Sequence, residues 1–144
     1  MTRDDIAEVT ACVETFFGAF ATEPGLDERM AALAASFLRE ATIAHFTSEG
    51  ELVVDDVAGF IEPRRAYLAG EAVTEFREWP LPGEVRVLGD LAVWSGAYAK
   101  EGHGSEGPLA GGGAKVIQLV RLEGVWRIAH VAWQDTPGGP QPSG

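Results

Sequence analysis

Apolar residues recur at steps of three and four in the first third of the chain and at steps of two in the last third. Helices are therefore predicted first and strands afterwards. Ile6, Val9, Val13, Phe16, Phe17 and Phe20 form one stripe, with Asp4, Asp5, Glu8 and Glu14 on other faces and Thr2 or Asp4 as a cap. Pro24-Gly25 breaks this helix. Asp27 then caps a second, whose stripe is Met30, Leu33, Ala34 and Phe37. From Ala41 the period shortens. The run Ala41 to Thr47, the turn Ser48-Glu49-Gly50 and the return Glu51 to Val54 predict a small hairpin. Asp55 or Asp56 caps a third helix holding Val57, Phe60, Ile61 and Leu68, and Pro63 inside it predicts a kink or a break.

The second half alternates. Thr74 to Trp79 has strand composition, and Pro80 and Pro82 make it an edge or bulged strand. Glu84 to Leu88 and Leu91 to Lys100 flank the turn Gly89-Asp90; Lys115 to Leu122 and Val125 to Trp133 flank Glu123-Gly124. Between Lys100 and Lys115 a glycine-rich loop is expected. The domain is expected over residues 1–136, and the Pro/Gly-rich tail 137–144 is expected to be disordered. Three N-terminal helices followed by antiparallel strands predict an α+β fold, with the helices packed on one face of a curved sheet.

Composition narrows the functions. A chain of 144 residues, 46% hydrophobic and 23% charged, suits one globular domain. Its formal net charge of −11 repels phosphate backbones and anionic lipid, so neither nucleic acid nor membrane is an expected partner. The single cysteine, Cys12, can form no internal disulfide. No secretory signal is visible and no run reaches the ~18 apolar residues of a membrane span, so a cytoplasmic protein is expected.

Motifs carry little chemistry by themselves. Gly102 to Gly107 spells G-x-G-x-x-G, but Pro108 and Gly111-Gly112-Gly113 follow where a dinucleotide site needs a helix N-terminus. His45, His103 and His130 stand in no metal-gripping pair, so no metal and no cofactor are expected. No serine elbow appears, and Cys12 inside a helix is inert. What remains is strand alternation. Trp94, Gly96 and Tyr98 share a face, as do Val116, Gln118 and Val120; Ala129, Val131 and Trp133; and Ile43, His45 and Thr47. If those faces point inward, they enclose an aromatic-rich cavity with His45, Gln118 and Tyr98 as its polar groups. The competing expectation is a solid core with polar tips at its rim.

The order of elements resembles the nuclear transport factor 2-like superfamily, which includes ketosteroid isomerases, SnoaL-like polyketide cyclases and the association domain of a calmodulin-dependent kinase. The matching residues are Ala41-Thr42-Ile43-Ala44-His45, Glu84-Val85-Arg86-Val87 leading to Gly89-Asp90-Leu91-Ala92-Val93, and Glu123-Gly124-Val125-Trp126-Arg127-Ile128-Ala129-His130. The resemblance implies a cone-shaped curved sheet, a pocket at its open end, and homodimerisation through the sheet. It places the ketosteroid isomerase base at His45, the oxyanion tyrosine at Phe16 and the second acid at Gln118, so a steroid isomerase of that type is disfavoured. Two expectations follow from it. One is a cofactor-free isomerase, cyclase or lyase acting on a small hydrophobic carbonyl compound. In it His45 is general base, Gln118 and Tyr98 are hydrogen-bond donors, and Phe16, Phe20, Trp94, Val116, Val131 and Trp133 line the site. The other is a non-catalytic ligand-binding or dimerisation module, with His45 a structural residue.

Overall fold

The computed structural model describes residues 3–136; the predicted tail and the Thr2 cap lie outside the described residues. Three helices, α1 (Arg3–Gly18), α2 (Leu26–Ala35) and α3 (Val57–Ala69), pack on a seven-stranded curved sheet that does not close. The strands are β1 (Phe37–Phe46), β2 (Leu52–Asp55), β3 (Val73–Pro80), β4 (Glu84–Leu88), β5 (Leu91–Gly104), β6 (Gly107–Leu122) and β7 (Val125–Asp135). Their spatial order is β2-β1-β7-β6-β5-β3, and β4 also pairs with β5.

The α1 stripe drives this packing. Val9, Val13, Phe16 and Phe17 of α1, with Phe20 just beyond its end, are all buried, and they meet Met30 and Leu33 of α2 and Phe60 of α3 in one core cluster. Phe16 touches four rings, stacking on Phe60 and meeting Phe17, Phe20 and Phe37 edge-on. Such pairs add stability beyond the area they bury.

Five sequence expectations need correction. Helix α2 has Gly25 at its N-cap with no side-chain cap bond, so Asp27 lies inside its first turn rather than capping it. The sheet is mixed rather than antiparallel, because β1 runs parallel to β7. Strand β1 starts at Phe37, not Ala41: the Ile128 amide donates to the Ser36 carbonyl at 2.8 Å, and the Phe37 side chain goes to the core from a strand. Of the kink or break expected at Pro63, the break is not found, since α3 is one helix through it; the Asp56 carboxylate starts this helix, accepting from the Gly59 amide at 2.8 Å. The glycine-rich stretch is strand: β5 and β6 form one hairpin paired from Leu91↔Val120 to Gly104↔Gly107.

The predicted hairpin β1–β2 forms, as does the β6–β7 turn, where Glu123 and Gly124 both take positive φ. Strand β3 is both an edge and bulged, its ladder to β5 shifting between Thr74 and Arg77 with Glu75 at φ 51. Strands β3 and β4 share the same side of β5, one at each end.

Candidate functional site

A cavity of about 470 Å³ opens between the helices and the concave face of the sheet. Phe20, Phe60, Leu68, Phe76, Leu109 and Trp133 give it an apolar wall, and His45, Arg64, Glu78, Tyr98, Lys100, Lys115 and Asp135 bring polar groups to it.

Register explains how these residues meet, because residues directly opposite across a ladder share a face. Trp133 on β7 lies opposite His45 on β1 and Lys115 on β6. The His45 and Trp133 rings accordingly stack, 4.6 Å apart and 7° from parallel. One step along, Asp135 lies opposite Gly113, which lies opposite Tyr98. Glycine is required there: a Cβ on Gly113 would come within 2.1 Å of the Gln134 carbonyl oxygen. With no side chain between them, the Tyr98 hydroxyl reaches across and donates to the Asp135 carboxylate.

Lys115 sits at the centre and is only 4% exposed. Its ammonium donates to Glu78 at 3.1 Å and lies 4.4–5.0 Å from the ring centres of Tyr98, Phe16, Phe17 and Trp133. Burial pulls its pKa below the ordinary lysine value, against the opposing pull of Glu78. Asp135 also receives Lys100 at 3.2 Å. Burial works against ionisation of Asp135, but the bonds from Tyr98 and Lys100 and the charge of Lys115 outweigh it and hold the carboxyl below its usual range. Burial, then the bond to Asp135, pushes the Tyr98 hydroxyl well above the usual phenol value, so it stays protonated. His45 is pulled below 6.5, first by desolvation and then by the Arg64 charge; its Nδ1 is buried without a hydrogen-bond partner. The imidazole is therefore mostly neutral at pH 7.

Of the residues predicted for a site, His45, Tyr98, Phe20 and Trp133 come together on this cavity. Phe16, Trp94 and Val131 lie in the packed core instead; Trp94 meets Phe17 edge-on at 5.5 Å. Gln118 and Val116 are on the other face of the sheet and exposed. Strand β6 presents Lys115, Ile117 and Leu119 inward, the reverse of the expected phase, and Gln118 cannot serve the cavity. The β6–β7 ladder also shifts at Gln118/Leu119, where Ala129 on β7 is the extra residue, so Ile128 rather than Ala129 shares the buried side with Val131.

Lys115, Glu78, Arg64, Lys100 and Asp135 were missed. Two had a signal: Asp135 continues the Val131–Trp133 phase, and Arg64 lies midway between Phe60 and Leu68 at four-residue steps. The other histidines lie apart from this cluster, His103 beside Glu75 at 3.2 Å and His130 bonded to Thr42 at 2.8 Å. Burial pushes the Cys12 thiol up to about 11, which leaves it unreactive at neutral pH. Among the described residues, no three His, Cys, Asp or Glu side chains are grouped to hold a metal ion. No helix there is long and apolar enough to cross a membrane.

Three helices on a curved, open, mixed sheet with a cavity beneath them define the nuclear transport factor 2-like α+β cone fold, and this chain has it. Solved structures agree along nearly the whole chain. A nuclear transport factor 2-like protein of unknown function from Silicibacter pomeroyi is 23% identical, with a TM-score of 0.64, over 94% of this chain and 100% of that one. A protein of unknown function from Mycobacterium tuberculosis is 19% identical with a TM-score of 0.73, over 99% and 83%. A candidate aromatic ring hydroxylase from Novosphingobium aromaticivorans is 16% identical with a TM-score of 0.72, over 95% and 93%. At these identities the likeness concerns the fold. No protein-family model and no curated protein matches the sequence.

Proposed function

We propose that the protein binds a small hydrophobic carbonyl compound in this cavity and acts on it without a cofactor, as an isomerase, cyclase or lyase with His45 as the general base. The carrying observation is an aromatic-walled cavity on which ionisable groups converge with pKa values pushed apart, His45 down and Tyr98 up. In this reading neutral His45 takes a proton from the carbon beside the carbonyl. The electron pair moves onto the oxygen, whose new charge is stabilised by the buried cation Lys115. Tyr98, its proton engaged by Asp135, positions the wall rather than donating to substrate. The hydrophobic residues Phe60, Phe76 and Leu68 hold the apolar part of the ligand.

The test is a thermal-shift screen of hydrophobic ketones, enones and oxo acids, followed by a turnover assay on each binder. Binders that stabilise the protein and are converted support the reading. Binders that are never converted favour a non-catalytic ligand-binding module of the same fold. That second reading draws on the ties between Lys115 and Glu78 and between Tyr98 and Asp135, which can also serve as struts.

A homodimer through the outer sheet face is part of this proposal. Val116 on β6 is 40% exposed there, beside Gln118 and Ala114, and a second copy would cover it. Sedimentation equilibrium of wild type and Val116→Glu checks it. A dimer that the glutamate splits is expected; a monomeric wild type overturns the pairing.

A further inference from the structure

Of the three cations and three carboxylates that the described residues bring to the cavity wall, Arg64 is left without a salt bridge, because Glu101 pairs with Arg77 outside the wall. Glu78 is paired with Lys115 at 3.1 Å, Asp135 with Lys100 at 3.2 Å, and Glu101 with Arg77 at 2.9 Å. His45 is held mostly neutral. Arg64 also lines the cavity and makes no ion pair among the described residues. Its nearest acidic influences, Asp55, Glu78 and Asp135, act on it only through space.

Arg64 is nevertheless held in place. One guanidinium nitrogen donates to the Phe60 carbonyl at 2.9 Å, and the guanidinium lies over the Phe60 ring at 4.3 Å and the Trp133 ring at 5.2 Å. A guanidinium has five donor hydrogens in a rigid fork, so this bond leaves most of them unused. A half-buried arginine without a counter-ion has given up hydration that no protein carboxylate restores. Its placement in the Phe60–Arg64–Leu68 stripe of α3 puts that fork beside apolar surface on a cavity wall.

We infer that Arg64 is the anchor for the carboxylate of a small hydrophobic acid bound in this cavity. The inference rests on the small-molecule reading above and deepens it by naming the substrate class, an oxo acid or related carboxylate. One unpaired positive charge matches one carboxylate, and the planar fork matches its two oxygens. A phosphate dianion would instead leave a surplus negative charge inside a chain that already carries −11. The aromatic and aliphatic wall, Phe20, Phe60, Phe76 and Leu68, receives the body of the acid. That net charge also disfavours indiscriminate binding of anions at the surface, so binding of an acid reports on a specific site.

Calorimetric titration with 3-phenylpropanoate and with its neutral isostere 3-phenylpropanamide tests the inference in wild type and in Arg64→Gln and Arg64→Lys. Wild type is expected to prefer the acid by about tenfold to a hundredfold, the worth of a charge-assisted bidentate contact. Arg64→Gln should lose that preference while keeping affinity for the amide. Arg64→Lys should retain part of it, since lysine keeps the charge but not the fork. Equal wild-type affinity for acid and amide overturns the carboxylate anchor and leaves the small-molecule reading standing. An acid preference unchanged in Arg64→Gln also overturns it, and binding of neither probe counts against both. The wild-type comparison needs no variant to fold.

Discussion

Replacing Lys115 by methionine is expected to destabilise the protein by about 3–5 kcal/mol, the usual cost of stranding one charge of a buried ion pair. Lys115 and Glu78 have side chains only 4% and 12% exposed, so water cannot take over the role of the lost partner. The ammonium also contributes attraction to four surrounding rings, which methionine replaces only with weaker contacts. Two apolar residues in place of the pair remove the stranded charge altogether. The double variant Lys115→Met, Glu78→Leu should therefore regain most of the lost stability. Urea unfolding of the wild type and both variants measures this. A single-variant loss under about 1 kcal/mol would show the pair to behave like an exposed salt bridge.

Replacing His45 by alanine is expected to lower kcat by about 10²–10⁴, the range for loss of a general base, on whichever compound the turnover screen identifies. Stability should change little. The variant loses the stack on Trp133 but also removes a buried Nδ1 that has no partner, and these effects oppose one another. The pH profile supplies the second readout. Desolvation and the Arg64 charge lower the His45 pKa, so the reactive neutral form persists below pH 6.5. In wild type kcat/KM should therefore rise with pH to a plateau, with its acid midpoint below 6.5. Arg64→Gln removes one of the two lowering causes and should move that midpoint upward. A variant that keeps full turnover, or one that unfolds, would return His45 to a structural role.

Much of the architecture was legible because it is written in local period. The α1 stripe, the Asp56 cap, the Gly89-Asp90 and Glu123-Gly124 turns and the β1–β2 return each depend on neighbours a few residues apart. What failed depends on partners far away in sequence. Phe37 belongs to a strand because β7, some ninety residues later, captures the backbone at Ser36. Gly111 to Gly113 form a strand because they pair in the ladder to β5, and the crossing of Tyr98 to Asp135 requires bare backbone at Gly113, although the same residues read as a loop by composition.

The cavity was harder to read for a related reason. Both faces of β6 carry apolar residues, so alternation gave no sign for the inward face, and Gln118 was assigned to the wrong one. Lys115 was hidden by the expectation that lysine is solvated, an expectation that Glu78 and four aromatic rings overturn. The charged groups of the wall come from separate elements: β3 supplies Glu78, β6 supplies Lys115, β7 supplies Asp135, and α3 supplies Arg64. Only the fold brings them to one wall.

The claim that this wall receives a small ligand is tested most directly by two-dimensional NMR of the protein titrated with 3-phenylpropanoate. Saturable shifts are expected at the Trp133 indole, the His45 ring and the Arg64 side chain, with Val116 and Gln118 on the outer sheet face unmoved. Shifts confined to the outer face, or weak and unsaturable shifts spread over the surface, would contradict a ligand site in the cavity.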